Sequence, residues 1–282
     1  MRKILVLTDF SDNSFNALDC AHRLFSKDEC TFLLLHSIEA QMSTSTSRVD
    51  YGKRVQVFEE LEKAANEGFK EFIGRLERID DGKHTFDMQI TTEDLRYRVN
   101  KLVADEGISL VMMGAKGRTA ARDIFMGSNT INMIRSIEGC PVISIPEDHD
   151  FVPPIKFALA TDFRRPIQIK QIAQLVELAK YLDARVDVLH VAEEEALSPE
   201  QQANRALLED GLEGVDYHYK WLLDTGRDTS EIIGNYVSQN GYHMLAMMFR
   251  KRSFFDRLFR EKVIKRVGFN TTTPFMVIPE IG

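Results

Sequence analysis

The sequence predicts an α/β chain, built as two tandem five-stranded parallel-sheet domains with helices on both faces. Three observations carry that expectation. Continuous apolar runs recur, such as residues 4–7 and 110–113. Longer segments between them are apolar at helical spacing. The second half of the chain repeats the first in order. Continuous apolar strands joined by helices indicate a parallel sheet covered on both sides.

In the first half, residues 4–7 form strand one. Ser11 and Asp12 cap a helix that carries Phe15, Leu18, Ala21, Leu24 and Phe25 on one face. Residues 31–36 form strand two. The serine and threonine run at 43–47 reads as a polar loop. A long helix follows with Val57, Phe58, Leu61, Ala65, Phe69, Phe72, Ile73 and Leu76 at helical spacing. Residues 85–90 form strand three, and Thr92 precedes a helix with Leu95, Val99, Leu102 and Val103. Residues 108–113 and 142–145 form strands four and five. In the second half, Ser198-Pro199-Glu200-Gln201 is a capping box with proline at the first helical position. Val215, Tyr217, Tyr219 and Trp221 alternate as one face of a strand.

Self-comparison places the domains. The segment from Arg2 to Phe10 reappears from Ile155 to Phe163, both ending in Thr-Asp-Phe. Leu33 to His36 reappears before His190, Leu110 to Met113 matches Leu245 to Met248, and Pro141 to Glu147 matches Pro274 to Glu280. The expected units are residues 1–148 and 153–282, joined by a short segment ending in Pro153-Pro154.

Composition narrows the function classes. A length of 282 residues suits two ordinary domains. A formal charge of -7 weighs against nucleic acid as the main partner. No apolar stretch is long enough to cross a bilayer, so no membrane role is expected. The N-terminal run stops at Thr8-Asp9, too early for a signal peptide. Three cysteines (Cys20, Cys30 and Cys140) without a C-x-x-C point to a reducing cytoplasm and to packing roles. His36 and His190 stand at equivalent strand ends and read as packing residues, with no cluster at metal-ligand spacing beside them.

The feature that carries chemistry begins where strand four ends. Met113-Gly114-Ala115-Lys116-Gly117 is followed, after nine residues, by Gly127-Ser128-Asn129. Glycines in such a turn let backbone approach a ligand and take positive φ. Gly127-Ser128 precedes an amphipathic run and reads as a helix start, whose N–H groups suit an anion. The pattern is neither a Walker A loop nor the dinucleotide fingerprint. It reads as a cradle for phosphates.

Together, the five strands, the Thr8-Asp9 end of strand one and the G-x2-G-x9-G-S loop resemble the universal stress protein family. The resemblance covers nearly the whole chain as two copies in tandem, and implies strand order 3-2-1-4-5. It implies that ATP, AMP or ADP binds at the carboxyl ends of the strands, with Mg²⁺ brought by the phosphates. It further implies that Thr8 and Asp9 line the adenine and ribose side, that Ser37 offers backbone contacts to adenine, and that Met113 lies against the nucleoside. Gly114 and Gly117 would pass close to the phosphates, and Gly127, Ser128 and Asn129 would donate to them. The residue types suit those roles, since carboxylates accept from hydroxyls and backbone donors suit phosphate.

Several readings stay open. Asp9 either binds ligand or caps the helix after Ser11. Asn129 either adds a phosphate donor or stabilises the helix start. Lys116 and Arg118 either neutralise phosphate or are solvated loop charges. The loop after Met248 has no glycine through residue 262, so the second half is expected not to bind ATP in the family manner. Its basic segment 250–266 reads either as an anion, nucleic-acid or membrane patch, or as an amphipathic plug. With no evident catalytic base, any hydrolysis is expected to be slow. Three functions compete: a nucleotide-binding stress-response regulator, a nucleotide-independent adaptor, and an adenylating enzyme. The adaptor would be an intramolecular pseudo-dimer with strand five of each half paired at the centre, and a homodimer is the other assembly left open. The enzyme fits poorly, because strand one ends without a glycine loop.

Overall fold

The chain is described by a computed structural model covering residues 1–46, 51–77, 82–117, 126–249 and 272–280. One ten-stranded sheet organises it. The first half supplies β1 (Arg2–Leu7), β2 (Cys30–Ser37), β3 (Thr85–Thr91), β4 (Leu110–Gly114) and β5 (Val142–Ile145). The second supplies β6 (Lys156–Ala160), β7 (Arg185–Ala192), β8 (Tyr217–Leu223), β9 (Met244–Met248) and β10 (Phe275–Ile278). Their order is β3-β2-β1-β4-β5-β10-β9-β6-β7-β8. Each half therefore has the order 3-2-1-4-5, and its strands are parallel. The halves meet where β5 and β10 pair antiparallel.

The helices described are α1 (Asp12–Leu24), α2 (Glu39–Thr46), α3 (Tyr51–Leu76), α4 (Leu95–Glu106), α5 (Ser128–Ser136), α6 (Ile169–Leu182), α7 (Pro199–Gly211) and α8 (Thr229–Gln239). Strand side chains alternate between two apolar layers, as the pleat requires. Ile4 and Val6 join α1, α3, α6 and α7 on one face. Leu5 and Leu7 join α4, α5 and α8 on the other. Both layers run through the two halves. This explains why the central strands read as unbroken apolar runs. Ile4, Leu5 and Val6 are fully buried, so both faces of the strand are covered.

The structure departs from the sequence reading in two places. Ser43, Thr44 and Ser45 lie in α2 rather than in a loop. Thr44 Oγ1 donates to Ala40 O at 2.8 Å, a bond within the helix that polar composition alone does not reveal. Helix α4 follows Thr92 as expected, and its cap is Asp94, whose carboxylate accepts from the N–H groups of Arg96 and Tyr97. Finally, one match between the halves shifts by one residue. Leu7 pairs with Met113 in β4, and its counterpart Ala160 pairs with Met247 in β9. Gly114 and Met248 accordingly occupy the same place, opposite Ile145 and Ile278. Aligning identical letters had set Met113 against Met248, whereas strand pairing is what decides the register.

Candidate functional site

The end of β1 is held by its own side chains. Thr8 is buried, and its N–H donates to Leu35 O at 3.0 Å. Its hydroxyl accepts from Phe10 N at 3.0 Å and lies 3.1 Å from Ser14 Oγ. Asp9 Oδ1 accepts from both the N–H and the hydroxyl of Ser11, at 3.1 and 2.6 Å. These bonds hold Phe10 at φ 61°, a region that side chains with a Cβ seldom enter. The Phe10 ring then lies 4.4 Å from the His36 ring and edge-on to Phe69 and Phe72. Gly68 of α3 makes that approach possible, because a Cβ there would sit 2.8 Å from the Phe10 ring. His36 Nδ1 lies 2.8 Å from Thr8 O, so the carbonyl requires Nδ1 to carry the proton. His36 is thus a buried brace, as its sequence position suggested.

The end of β4 is held from two sides. Asn13 of α1 donates from Nδ2 to Ile145 O at 3.0 Å and accepts Lys116 N at Oδ1, 2.9 Å away. Thr130 of α5 places its hydroxyl 3.1 Å from both Gly114 O and Ala115 O. Gly127 N donates to Ala115 O at 2.8 Å. Gly127 is also the N-cap of α5 and offers no side-chain cap, so the first turn of that helix keeps its outward N–H groups uncapped by a side chain.

The expectation that these glycines take positive φ is corrected. Gly114, Gly117 and Gly127 are absent from the positive-φ residues of the described chain, and Gly127 has φ −71°. Their role is close approach. A Cβ on Gly114 would lie 2.6 Å from Asn13 Oδ1, and one on Gly117 would lie 2.9 Å from Asp9 Oδ2.

These elements border a cleft of about 1040 Å³ at the carboxyl ends of the strands. Thr8, Asp9, Ser37, Met113, Gly114, Gly117 and Asn129 all line it, together with residues of α2 and α3. Gly127 and Ser128 stand beside it at the start of α5. Ser11 is the N-cap of α1, and Asp9 supports that cap. Its Oδ1 holds the turn before α1, while Oδ2 faces Gly117. Lys116 Nζ reaches Glu147 at 3.3 Å. Lys116 also lines the cleft, among the acids Asp9, Glu39, Glu67 and Glu71, and the backbone donors at the start of α5 stand beside it. Arg118 and segment 250–266 lie outside the described residues, as do residues 250–262 of the second-half loop. Asn13, Ser14 and Thr130 escaped the sequence reading. Their one signal was a polar side chain inside an otherwise apolar helix face.

The cysteines are buried, and burial pushes the Cys20 and Cys140 thiols up to about 12, consistent with packing roles. Among the described residues no group of three or more His, Cys, Asp or Glu could hold a metal ion. No described helix is long and apolar enough to cross a membrane.

Comparison with known proteins gives the site its setting. A model of the universal stress protein family matches residues 1–146. The chain belongs to the universal stress protein family. A universal stress protein of Methanocaldococcus jannaschii is 28% identical over 148 residues, covering 48% of this chain and 88% of the relative. Universal stress protein YxiE of Bacillus subtilis is 23% identical over 145 residues, covering 51% and 97%. The crystal structure of a universal stress protein from Archaeoglobus fulgidus superposes with TM-score 0.64 at 18% identity. It spans 99% of this chain and 96% of its own, a likeness of fold. Both relatives match about half of the present universal stress protein. The family model ends one residue after β5, so it takes in every element that borders the cleft.

Proposed function

We propose that the first half of this chain binds an adenine nucleotide, foremost ATP, and that binding regulates a cytoplasmic stress response through conformation or assembly. The observation that carries this reading is the convergence of Thr8, Asp9, Ser37, Met113, Gly114, Gly117 and Asn129 on one cleft beside a helix start without a side-chain cap. Open α/β sheets bind ligands at the carboxyl ends of their strands, where the order reverses. Here that point lies between β1 and β4.

Asp9 Oδ2 is the acceptor for a ribose hydroxyl. Backbone at Ser37 meets the adenine edge, and Met113 covers the nucleoside. Gly114 and Gly117 let the phosphates approach, and the N–H groups of Ser128 and Asn129 receive them. The Gly127 N–H is engaged by Ala115 O, so this residue contributes by having no side chain. Mg²⁺ accompanies the phosphates, its usual mode of binding. ATP acts as a ligand whose differential affinity shifts an equilibrium. The antiparallel pairing of β5 with β10 supports an intramolecular pseudo-dimer as the scaffold.

Titration calorimetry with ATP and Mg²⁺ tests this on the unaltered chain and on Gly117→Glu and Gly127→Arg. The expected result is one site per chain, lost in either variant. No binding by the unaltered chain, and no nucleotide released when it is denatured, would move the nucleotide-independent adaptor ahead.

A further inference from the structure

We infer that Asn13 and Thr130 are the positioning residues of the phosphate loop: together they fix the orientation of the two peptides that lead into it. The inference rests on the nucleotide reading above and adds residues that the glycine motif does not contain. An anion cradle needs N–H groups turned inward and C=O groups turned away, because a carbonyl oxygen facing phosphate repels it. A glycine-bearing loop has no intrinsic preference between these orientations. Something outside it has to choose.

The geometry points to two side chains. The peptide joining Ala115 to Lys116 is held at both ends. Its C=O lies 3.1 Å from Thr130 Oγ1 and accepts Gly127 N at 2.8 Å, while its N–H donates to Asn13 Oδ1 at 2.9 Å. The peptide joining Gly114 to Ala115 is held likewise. Its C=O lies 3.1 Å from Thr130 Oγ1, and its N–H donates to Ile145 O at 2.7 Å. Because a peptide is planar and trans, fixing both groups fixes its orientation. The next residue, Gly117, lines the cleft. Its direction of departure is set by the two peptides before it.

Neither side chain is free to turn. Asn13 is 6% exposed and Thr130 2%. The Asn13 amide donates to Ile145 O, so Oδ1 must face Lys116. Gly114 belongs to the same device, since a Cβ there would meet that oxygen. The second half is arranged differently. Gln171 of α6 donates to Pro279 O at 3.1 Å, and Met248 replaces Gly114 in the strand register.

Four variants test the inference: Asn13→Leu, Asn13→Asp, Thr130→Val and Thr130→Ser. Each is titrated with ATP and with adenosine, which lacks the phosphates. Asn13→Leu and Thr130→Val are expected to weaken ATP about tenfold, equivalent to ~1.4 kcal/mol, while adenosine affinity holds. Thr130→Ser keeps the hydroxyl and retains ATP affinity. Asn13→Asp keeps the acceptor for Lys116 N but sets a carboxylate oxygen against Ile145 O and a buried negative charge beside the cradle, so it is expected to lose at least as much as Asn13→Leu. Amide exchange at 114–117 in the nucleotide-free chain is expected to quicken in Thr130→Val and not in Thr130→Ser. If Asn13→Leu does not fold, the Thr130 pair decides. Unchanged ATP affinity in Thr130→Val, or equal losses for ATP and adenosine, would overturn the positioning role and leave the nucleotide site standing. Absence of ATP binding in the unaltered chain would instead overturn the nucleotide site, and this role with it.

Discussion

The two halves share the turn after their first strand and differ at the end of their fourth. Phe10 and Phe163 both stand in the left-handed region, at φ 61° and 54°. Both receive the same bond, from their own N–H to the preceding threonine hydroxyl, at 3.0 and 3.1 Å. His36 and His190 brace the two threonine carbonyls at 2.8 and 2.9 Å. Because the turn is the same in both halves, Thr-Asp-Phe belongs in part to the scaffold, whatever Asp9 does for a ligand. At the fourth strand, Gly114 corresponds to Met248 and Ala115 to Phe249 in register. The backbone bond that follows is the same, Ala115 N to Ile145 O at 2.7 Å and Phe249 N to Ile278 O at 2.8 Å. One backbone path therefore carries small residues on one side and buried bulky ones on the other. Under the proposed function, side-chain size at these two positions decides whether there is room for a ligand.

The halves also brace their turns differently. In the first, α3 lies on the Phe10 ring through Gly68. In the second, α7 sends Asn204 to Phe163 O at 2.8 Å and Gln201 to Asp162 O at 2.9 Å. An aromatic contact against glycine leaves the turn's polar groups to other partners, whereas amide side chains occupy them.

Exchanging residues between the halves tests the comparison. The largest expected effect on stability is from Met248→Ala, which empties a buried site and costs about 2–5 kcal/mol in a denaturant melt. Gly114→Met, which installs the second half's residue in the first, is expected to cost about 1–3 kcal/mol by overpacking against Asn13. It should also abolish the ATP signal in calorimetry, and retained binding would mean that side-chain size here does not decide ligand space. Gly68→Ala sets two effects against each other. Alanine favours the helix by about 1 kcal/mol, but its Cβ meets a packed ring, at about 1–3 kcal/mol. A lower denaturation midpoint is expected, and a higher one would show that Phe10 can yield.

Asn204→Ala removes the matching brace in the second half. It should cost about 1 kcal/mol with ATP affinity unchanged.

The smallest effect concerns the junction. His149 and His243 border one small cavity between the halves, and burial holds both imidazoles below the ordinary value of 6.5. The His149 ring also bonds Thr272 O at 2.7 Å, which opposes its shift, and Lys156 adds to that of His243. The unfolded chain therefore binds more protons below 6.5 than the folded one. Stability is expected to fall as pH drops through 6.5, then to level off below the folded values. Denaturant melts across that range, repeated on His149→Gln and His243→Gln, should show a shallower dependence in each variant.

Periodicity by itself determined the strands and most helices of this chain. A strand buried on both faces is made mostly of apolar residues, and a covering helix shows its stripe. The glycine spacing after β4 and the Thr8-Asp9 turn were equally legible, because small residues and short polar ones are rare inside such a pattern. Tertiary structure decided the rest. The register that sets Gly114 against Met248 depends on pairing between strands, and letter identity misjudged it by one residue. The roles of Asn13 and Thr130 depend on a loop end, a strand end and two helices meeting. Asn13 lies 103 positions from Lys116 in the chain and 132 from Ile145. Hydrogen bonds between groups so distant leave no periodic trace in a sequence. They exist only once the sheet has brought its strand ends together.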